Sequence, residues 1–579
     1  MTASPSGRRV SLLLLWVSLT TVRRMTRDKL RRVANETFGW SQLHDEQLQA
    51  MEQVMAGHDV LAVLPTGAGK SAIYQVPALL LDGPTLVVSP LIALQQDQLE
   101  GIKDTRAPAA VVVNSTQSGG EHRQAWEAIR QCEAEYVFLS PEQLAKDEVV
   151  DALAALGVSL LVIDEAHCVS AWGHDFRPDY LRLGHVIQRL GHPRVLALTA
   201  TAALPVRRDI VQRLDLRDHH EVIASFDRPN LHLAVERFTD DTTKRHAVIA
   251  RVRALTADPA TRRGLVLVYA ASRADTEFYA NELAQCGVRV EAYHAGMKAA
   301  DRERVHEQFL ADELDVVVAT SAFGMGIDKP DVRFVAHASV PESLDSYYQQ
   351  IGRAGRDGQP AQITLFYRPE DLSLQTFLTA SKAPEEVLGE VAQALQEHDQ
   401  PIRPAQLKEQ VHASTAKRTK AVNLLEQAGA VATTSDGQLE YVDSDLRVDH
   451  AVERAVDAAE THQRLIRSRI EMMRGYAETT GCRRQYLLGY FGEQLAHPCG
   501  NCDTCAAGTA GEQPAGDDEF PRGSSVRHSK WGHGVVMSIE QNQLTVLFDD
   551  VGYKTLSRPA VQERNLLAPD RACESAAHH

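Results

Sequence analysis

The sequence predicts an α/β protein, with two parallel-sheet lobes in tandem followed by smaller units. Short, continuously apolar runs at 60–63, 86–88, 136–138, 160–163, 195–198, 265–268 and 316–318 alternate with helical patterns. A strand that is apolar on both sides belongs in a parallel sheet covered on both faces by helices. The runs form two sets that divide near 225–230, one set per lobe. After about Ser381 helical periods take over through Glu478, a stretch holding four cysteines follows, and the end alternates like small antiparallel strands.

The 579 residues suffice for three to five domains. At 44% hydrophobic and 24% charged the chain is ordinary globular material, which excludes a disordered, collagen-like or multi-span membrane protein. A net charge of −16 argues against a histone-like coat on nucleic acid but leaves room for a local basic groove. Of the eight cysteines, four crowd into one stretch and the rest are scattered. That is the pattern of a reducing compartment with one metal site, not of a disulfide-stapled secreted domain. At the N-terminus Arg8 and Arg9 precede an apolar run from Val10 to Val22, too short for a membrane span and with no small-residue cleavage site behind it. The expectation is a non-native or disordered extension over 1–24, with Met25 as the true start and a cytoplasmic protein; an export signal is the rival reading.

Each lobe carries its chemistry where strands end. The first strand runs into Leu64-Pro65-Thr66-Gly67-Ala68-Gly69-Lys70-Ser71, a phosphate loop at a strand-to-helix junction. Its glycines let backbone N–H groups close on phosphates, Lys70 reaches the β- and γ-phosphates, and Ser71 ligates Mg2+. Leu64 stands where the general pattern has its first glycine. Asp164-Glu165-Ala166-His167 ends a later apolar strand. Asp164 is suited to holding Mg2+ and Glu165 to orienting the attacking water. In the second lobe Arg353 and Arg356, flanked by glycines, are read as one face of a helix that supplies charge for γ-phosphoryl transfer. The spacing Cys482-x16-Cys499-x2-Cys502-x2-Cys505 suits a closed, structural Zn2+ site, with an iron–sulfur cluster as the rival.

Taken with Ser89–Gln98, Asp164–Pro178, Leu198–Ala202, Ser225–Asn230, Tyr293–Gly296 and Ala322–Pro330, these motifs make the chain resemble the RecQ family of superfamily 2 helicases, from about Thr37 to Cys505. The resemblance implies two RecA-like lobes with ATP bound between them, and single-stranded DNA crossing both. It implies 3′→5′ translocation and unwinding of tailed or branched duplexes in recombination, repair and replication-fork processing. It implies nucleotide contacts at Gln47, Gly326 and Asp328. Gln47 matches a glutamine that pairs with adenine through one donor and one acceptor, although Leu43 and His44 stand where relatives usually carry Phe and Arg. The Trp172–Pro178 loop, which other superfamily 2 branches lack, is implied to couple DNA to hydrolysis. Trp172 and Phe176 suit base stacking and Arg177 a phosphate, with His174 in the turn between them; core packing is the plainer reading of the two aromatics.

The chain also departs from the usual plan. The connection from Arg356 to Cys482 is longer, and its extra part reads as three helices and a hairpin, with Ser414 as an N-cap and Lys417, Arg418 and Lys420 clustered at one helix start. A winged-helix-like unit at 381–447 fits this pattern, and so does a helical scaffold that touches no DNA. Most relatives place a winged helix after the zinc site and many end in a helical domain; only 74 residues follow Cys505 here, so neither is expected. The expected organisation is a first lobe at 25–224, a second at 225–380, the insert, a zinc subdomain at 448–507, a linker at 508–523 and a small Tudor- or SH3-like barrel at 524–570. Asp549 and Asp550 speak against DNA contact by that barrel and for a protein partner, so unwinding is expected to survive deletion of the residues after Phe520. The reading as a whole is an ATP-dependent DNA helicase using ATP, Mg2+ and Zn2+. A translocase or RNA–DNA hybrid unwinder is the alternative, and a non-catalytic DNA-binding scaffold the remote one.

Overall fold

The computed structural model describes residues 26–570 except 91, 115–116, 132, 145, 171–176, 258–264, 325–328, 374–382, 399, 435–437, 444, 512–518, 522–523, 540–542 and 550. It divides into two compact units: the first runs to Ala224, and the second comprises the chain from Ser225 onward together with Thr201–Pro205.

The first unit is built on seven strands: β1 (Val60–Val63), β2 (Thr85–Val88), β3 (Ala109–Val113), β4 (Ala134–Leu139), β5 (Leu160–Ile163), β6 (Arg194–Thr199) and β7 (His220–Ile223). They pair in the order β3-β4-β2-β5-β6-β1-β7, all parallel. β1, β2, β5 and all of β6 but its first residue are buried throughout, which is why they read as unbroken apolar runs. Strand order reverses beside β1, and in such sheets ligands bind beyond the carboxyl ends of the strands.

The second unit repeats the scheme with β8 (Leu231–Arg237), β9 (Leu265–Tyr269), β10 (Val290–Tyr293), β11 (Val316–Ala319), β12 (Val332–His337) and β13 (Ala361–Tyr367), in the parallel order β10-β11-β9-β12-β13-β8. Beyond it the helices Glu385–Gln396, Pro404–Gln410 and Thr415–Gln427 and the hairpin β14 (Val431–Thr433)/β15 (Leu439–Tyr441) enclose a core of their own around Leu388, Leu395, Leu407 and Leu425. That core extends onto Ala451, Ala455 and Ala459 of the 31-residue helix Val448–Glu478. The chain closes with a five-stranded antiparallel sheet, β16 (Ser525–His528), β17 (Gly532–Ile539), β18 (Gln543–Phe548), β19 (Gly552–Ser557) and β20 (Leu567–Pro569), in the order β19-β18-β17-β16-β20 around Val526, Val546 and Phe548. Among the described residues no helix is long and apolar enough to cross a membrane.

Candidate nucleotide, zinc and nucleic-acid sites

The phosphate loop leaves β1 and enters the helix Ala72–Ala78, with Gly67 and Gly69 at φ +83° and +66°. Positive φ is cheap only for glycine, and Gly69 is also held close: a Cβ there would lie 2.7 Å from the Gln47 side-chain nitrogen. Gln47, buried on the helix Asp45–Ala56, donates to the carbonyls of Ala68 and Gly69 (2.9 Å each) and accepts from the His44 backbone N–H at 2.8 Å. Both ends of its amide therefore tie the helix start to the loop, and an adenine read by Gln47 would exchange those bonds. Lys70 arches back over the loop, its Nζ 3.5 Å from the Leu64 carbonyl. The Ser71 hydroxyl accepts from Gln98 at 3.0 Å, and Gln98 accepts from Tyr74 at 2.5 Å. Thr66 is half-buried in the turn between Pro65 and Gly67.

Asp164 and Glu165 follow β5 directly. The Asp164 backbone N–H donates to the Val88 carbonyl at 2.9 Å, and its carboxylate accepts from the Glu165 N–H at 3.0 Å. Burial, and then the neighbouring Glu165 carboxylate, push the Asp164 pKa up to about 6, against the opposing pull of Lys70. Glu165 adopts the left-handed conformation (φ +49°), which turns its side chain to within 3.3 Å of His167 Nδ1. β6 lies between β5 and β1, so its last residue joins the two motifs. The Thr199 hydroxyl meets His167 Nδ1 at 3.0 Å, and the Thr199 carbonyl accepts from the Leu64 N–H at 3.0 Å. One sheet edge thus gathers Lys70, Ser71, Asp164 and Glu165, a donor set suited to a nucleotide phosphate with Mg2+.

In the second unit the two arginines are not on a helix. The helix Leu344–Ile351 stops at Gly352, and Arg353 and Arg356 lie in the turn beyond it. Gly355 (φ +57°) ends the helical path, and a Cβ there would collide with the Asn230 side chain and lie 2.8 Å from the Gln359 carbonyl. Arg228 donates to the carbonyls of Ala354 and Gly355, and Asn230 to those of Gly355 and Gln359, all at 2.8–2.9 Å. The 225–230 segment therefore moulds the arginine turn. The Arg353 guanidinium is buried against Gly324, where a Cβ would meet it at 3.0 Å. Arg356 Nε donates to the Gly352 carbonyl at 3.4 Å.

The sulfurs of Cys482, Cys499, Cys502 and Cys505 all lie within 4.8 Å of one another. Tetrahedral Zn–S bonds of ~2.3 Å place sulfurs just under ~4 Å apart, so the cluster fits Zn2+ with little adjustment. The N–H groups of Cys499 and Asn501 point at sulfurs (3.3 Å each), as expected for thiolates. The knuckle extends the sheet edge at β8: Val235 N–H donates to Asp503 at 2.9 Å, Asn501 to the Pro229 carbonyl at 3.0 Å, and Arg484 to the Leu231 carbonyl at 2.6 Å.

Residues 44–210 match the family model for the DEAD/DEAH box helicase, 248–358 that for the helicase conserved C-terminal domain, and 443–506 that for RecQ zinc-binding. The "Probable ATP-dependent DNA helicase RecS" of Bacillus subtilis is 40% identical over 348 residues, which are 60% of this chain and 68% of that protein. The chain belongs to the RecQ family. The ATP-dependent DNA helicase RecQ of Haemophilus influenzae is 34% identical over 475 residues, 82% of this chain but 63% of that one. In fold, this RecQ-family chain is similar to the crystal structure of the DUF1998 helicase MrfA bound to DNA (TM-score 0.50, 17% identity, 73% of this chain and 60% of that one).

Within this RecQ-family chain the residues singled out in sequence fall into three groups, with Arg177 apart from them. Gln47, Thr66, Gly67, Gly69, Lys70, Ser71, Asp164 and Glu165 meet in the first unit. Arg353, Arg356 and the four cysteines belong to the second. Gly326, Asp328, Trp172, His174 and Phe176 lie outside the described residues. Arg177 is described: its backbone N–H donates to Cys168 at 3.0 Å and its guanidinium to the Pro90 carbonyl at 2.9 Å. The motif reading passed over Gln98, the partner of Ser71, and the role of Arg228 and Asn230 in shaping the arginine turn. Both were legible only as members of longer matched stretches, because their partners are distant in sequence.

Proposed function

We propose that this chain hydrolyses ATP to move 3′→5′ along single-stranded DNA and to separate tailed or branched duplexes in recombination, repair and replication-fork processing. The observation that carries this reading is the meeting of Lys70, Ser71, Asp164 and Glu165 at one sheet edge, in a chain that also holds the RecQ zinc knuckle. When bound, Mg2+ supplies charge neutralisation on the phosphates. Lys70 binds the phosphates, Asp164 and Ser71 hold the ion, Glu165 orients the attacking water, and Arg353 and Arg356 offset charge as the phosphoryl group leaves. Trp172, His174, Phe176 and Arg177 couple DNA to this step. The four cysteines hold Zn2+ as a structural ion.

The helices Pro404–Gln410 and Thr415–Gln427 with the β14/β15 hairpin make a winged-helix-like unit for duplex DNA. Five cations, Arg403, Lys408, Lys417, Arg418 and Lys420, face a single carboxylate, Glu409, over 403–420. Arg418 is spent on the carbonyls of the turn at Val411 and Ala413, whereas Arg403, Lys408 and Lys417 are exposed. The C-terminal barrel docks a protein partner, and the protein works at the nucleoid in the cytoplasm.

The test is ATP-dependent strand displacement on 3′-tailed duplexes, DNA–DNA beside RNA–DNA. DNA–DNA unwinding that disappears with Lys70→Ala is the expected result. DNA-stimulated ATP hydrolysis without DNA–DNA unwinding would replace this reading with a translocase or hybrid unwinder.

A further inference from the structure

The C-terminal barrel has two buried faces. One is its own core, around Val526, Val536, Val546 and Phe548. On the opposite side of the same strands Val535, Met537, Leu547 and Tyr553 are equally buried, although none belongs to that core. On this side the barrel packs against other parts of the second unit: β19 on the helix Val448–Glu478, and β17 on the helix Arg483–Tyr490. The approach is close. A Cβ on Gly552 would collide with the Ser468 hydroxyl and come within 3.6 Å of Leu465 on the long helix.

Tyr553 is buried in this contact, its ring 5.4 Å from that of Tyr490. The Tyr490 hydroxyl in turn donates to the carboxylate of Asp345, which is 1% exposed. Asp345 stands in the first turn of the helix Leu344–Ile351, and that helix runs straight into the arginine turn. Farther along, the same helix is held by Tyr347 on Tyr476, by Tyr348 on the Phe226 carbonyl and by Gln350 on His337, each at 2.9 Å. Its first turn depends on Asp345, whose partner Tyr490 the barrel covers. A phenol–carboxylate bond is strong while water is kept out and weakens once the site is wetted.

We propose that the barrel braces the arginine turn, with Tyr553 as the positioning residue that shields the Tyr490–Asp345 bond and so holds the helix Leu344–Ile351 in place. The effect on turnover rests on the reading of Arg353 and Arg356 as groups that act on the phosphoryl transfer. A barrel attached only by a linker would be dispensable, as the sequence taken alone suggests; a brace is not.

The experiment uses the full chain with Tyr553→Ala, Tyr553→Phe, Tyr490→Phe and the double change Tyr553→Ala/Tyr490→Phe. It measures kcat and KM for ATP with single-stranded DNA present, and hydrogen exchange of the 345–351 amides. Tyr553→Ala is expected to lower kcat by about three- to tenfold with KM within about twofold, and to speed exchange over 345–351. Tyr553→Phe, which keeps the ring, is expected to match the parent. The double variant is expected to be no worse than the worse single one, because both act on one bond. Unchanged exchange in Tyr553→Ala, or additive losses, would overturn the brace. Tyr490→Phe leaves the barrel intact, so it decides the matter if Tyr553→Ala disturbs the barrel fold: parental exchange and kcat there overturn it too. Arg356→Ala separates the two readings. A parental kcat in that variant would remove the arginine reading, while the exchange result would still judge the brace.

Discussion

Asp164 is a carboxylate that must be ionised to hold a cation, yet its surroundings favour the proton. Burial and Glu165 raise its pKa to about 6. Below that pH it is protonated, so if Asp164 holds the ion as proposed, activity is expected to fall as pH drops through about 6. At limiting Mg2+ the pH profile of ATP hydrolysis should show this acid limb, and raising Mg2+ should move it to lower pH, because the ion competes with the proton. A limb that ignores Mg2+ would point to another group. Gly355 makes a second claim at this scale. Gly355→Ala combines the left-handed backbone cost with a collision against Asn230. About 2 kcal/mol should be lost, read as a lower thermal midpoint, together with a lower kcat as the arginine turn shifts. The residues of the phosphate loop and of Asp164–His167 were legible because their partners are near in sequence or sit on neighbouring strands. Gln98 and Arg228 were not, since each acquires its meaning from a residue brought alongside by the fold.

Elements differ in how openly their sequences declare them. β1, β5 and β11 are buried on both sides and stand out as apolar runs. β7 and β10 lie at sheet edges and are largely exposed or half-buried, so their sequences carry no such run. The arginine pair was placed on a helix because its spacing suits one; Gly352 and Gly355 end that helix first. In the barrel the unbroken Val535-Val536-Met537 run departs from strict alternation because Val535 lies on the second buried face and Met537 is the extra residue of a bulge between Val536 and Ser538. The zinc knuckle has its own test. Preparations should contain one Zn2+ per chain, and Cys502→Ser, which removes the buried ligand whose backbone bridges to Leu233 on β8, should lose both the metal and several degrees of thermal midpoint. A metal-free parent chain of full stability would refute the assignment.

At the scale of the whole molecule, a chain of net charge −16 cannot hold DNA by its average field, so affinity must come from local cations. If the 403–420 segment is one such place, Lys408→Ala/Lys417→Ala should weaken duplex binding similarly across sequences and flatten the salt dependence of log K by about 2, the sign of two lost phosphate contacts. An unchanged slope would assign that unit to scaffolding. The sequence by itself determined the tandem parallel-sheet class, the phosphate loop, the carboxylate pair and the cysteine spacing. Those depend on local periodicity and on short motifs whose groups act within a few residues of one another. Only the tertiary structure decided that the arginines sit in a turn moulded by 225–230, that Gln47 is bonded into the phosphate loop, and that the C-terminal barrel is packed into the second unit through Tyr553. Each of these is a contact between residues far apart in the chain, set by burial and close approach that no local pattern encodes.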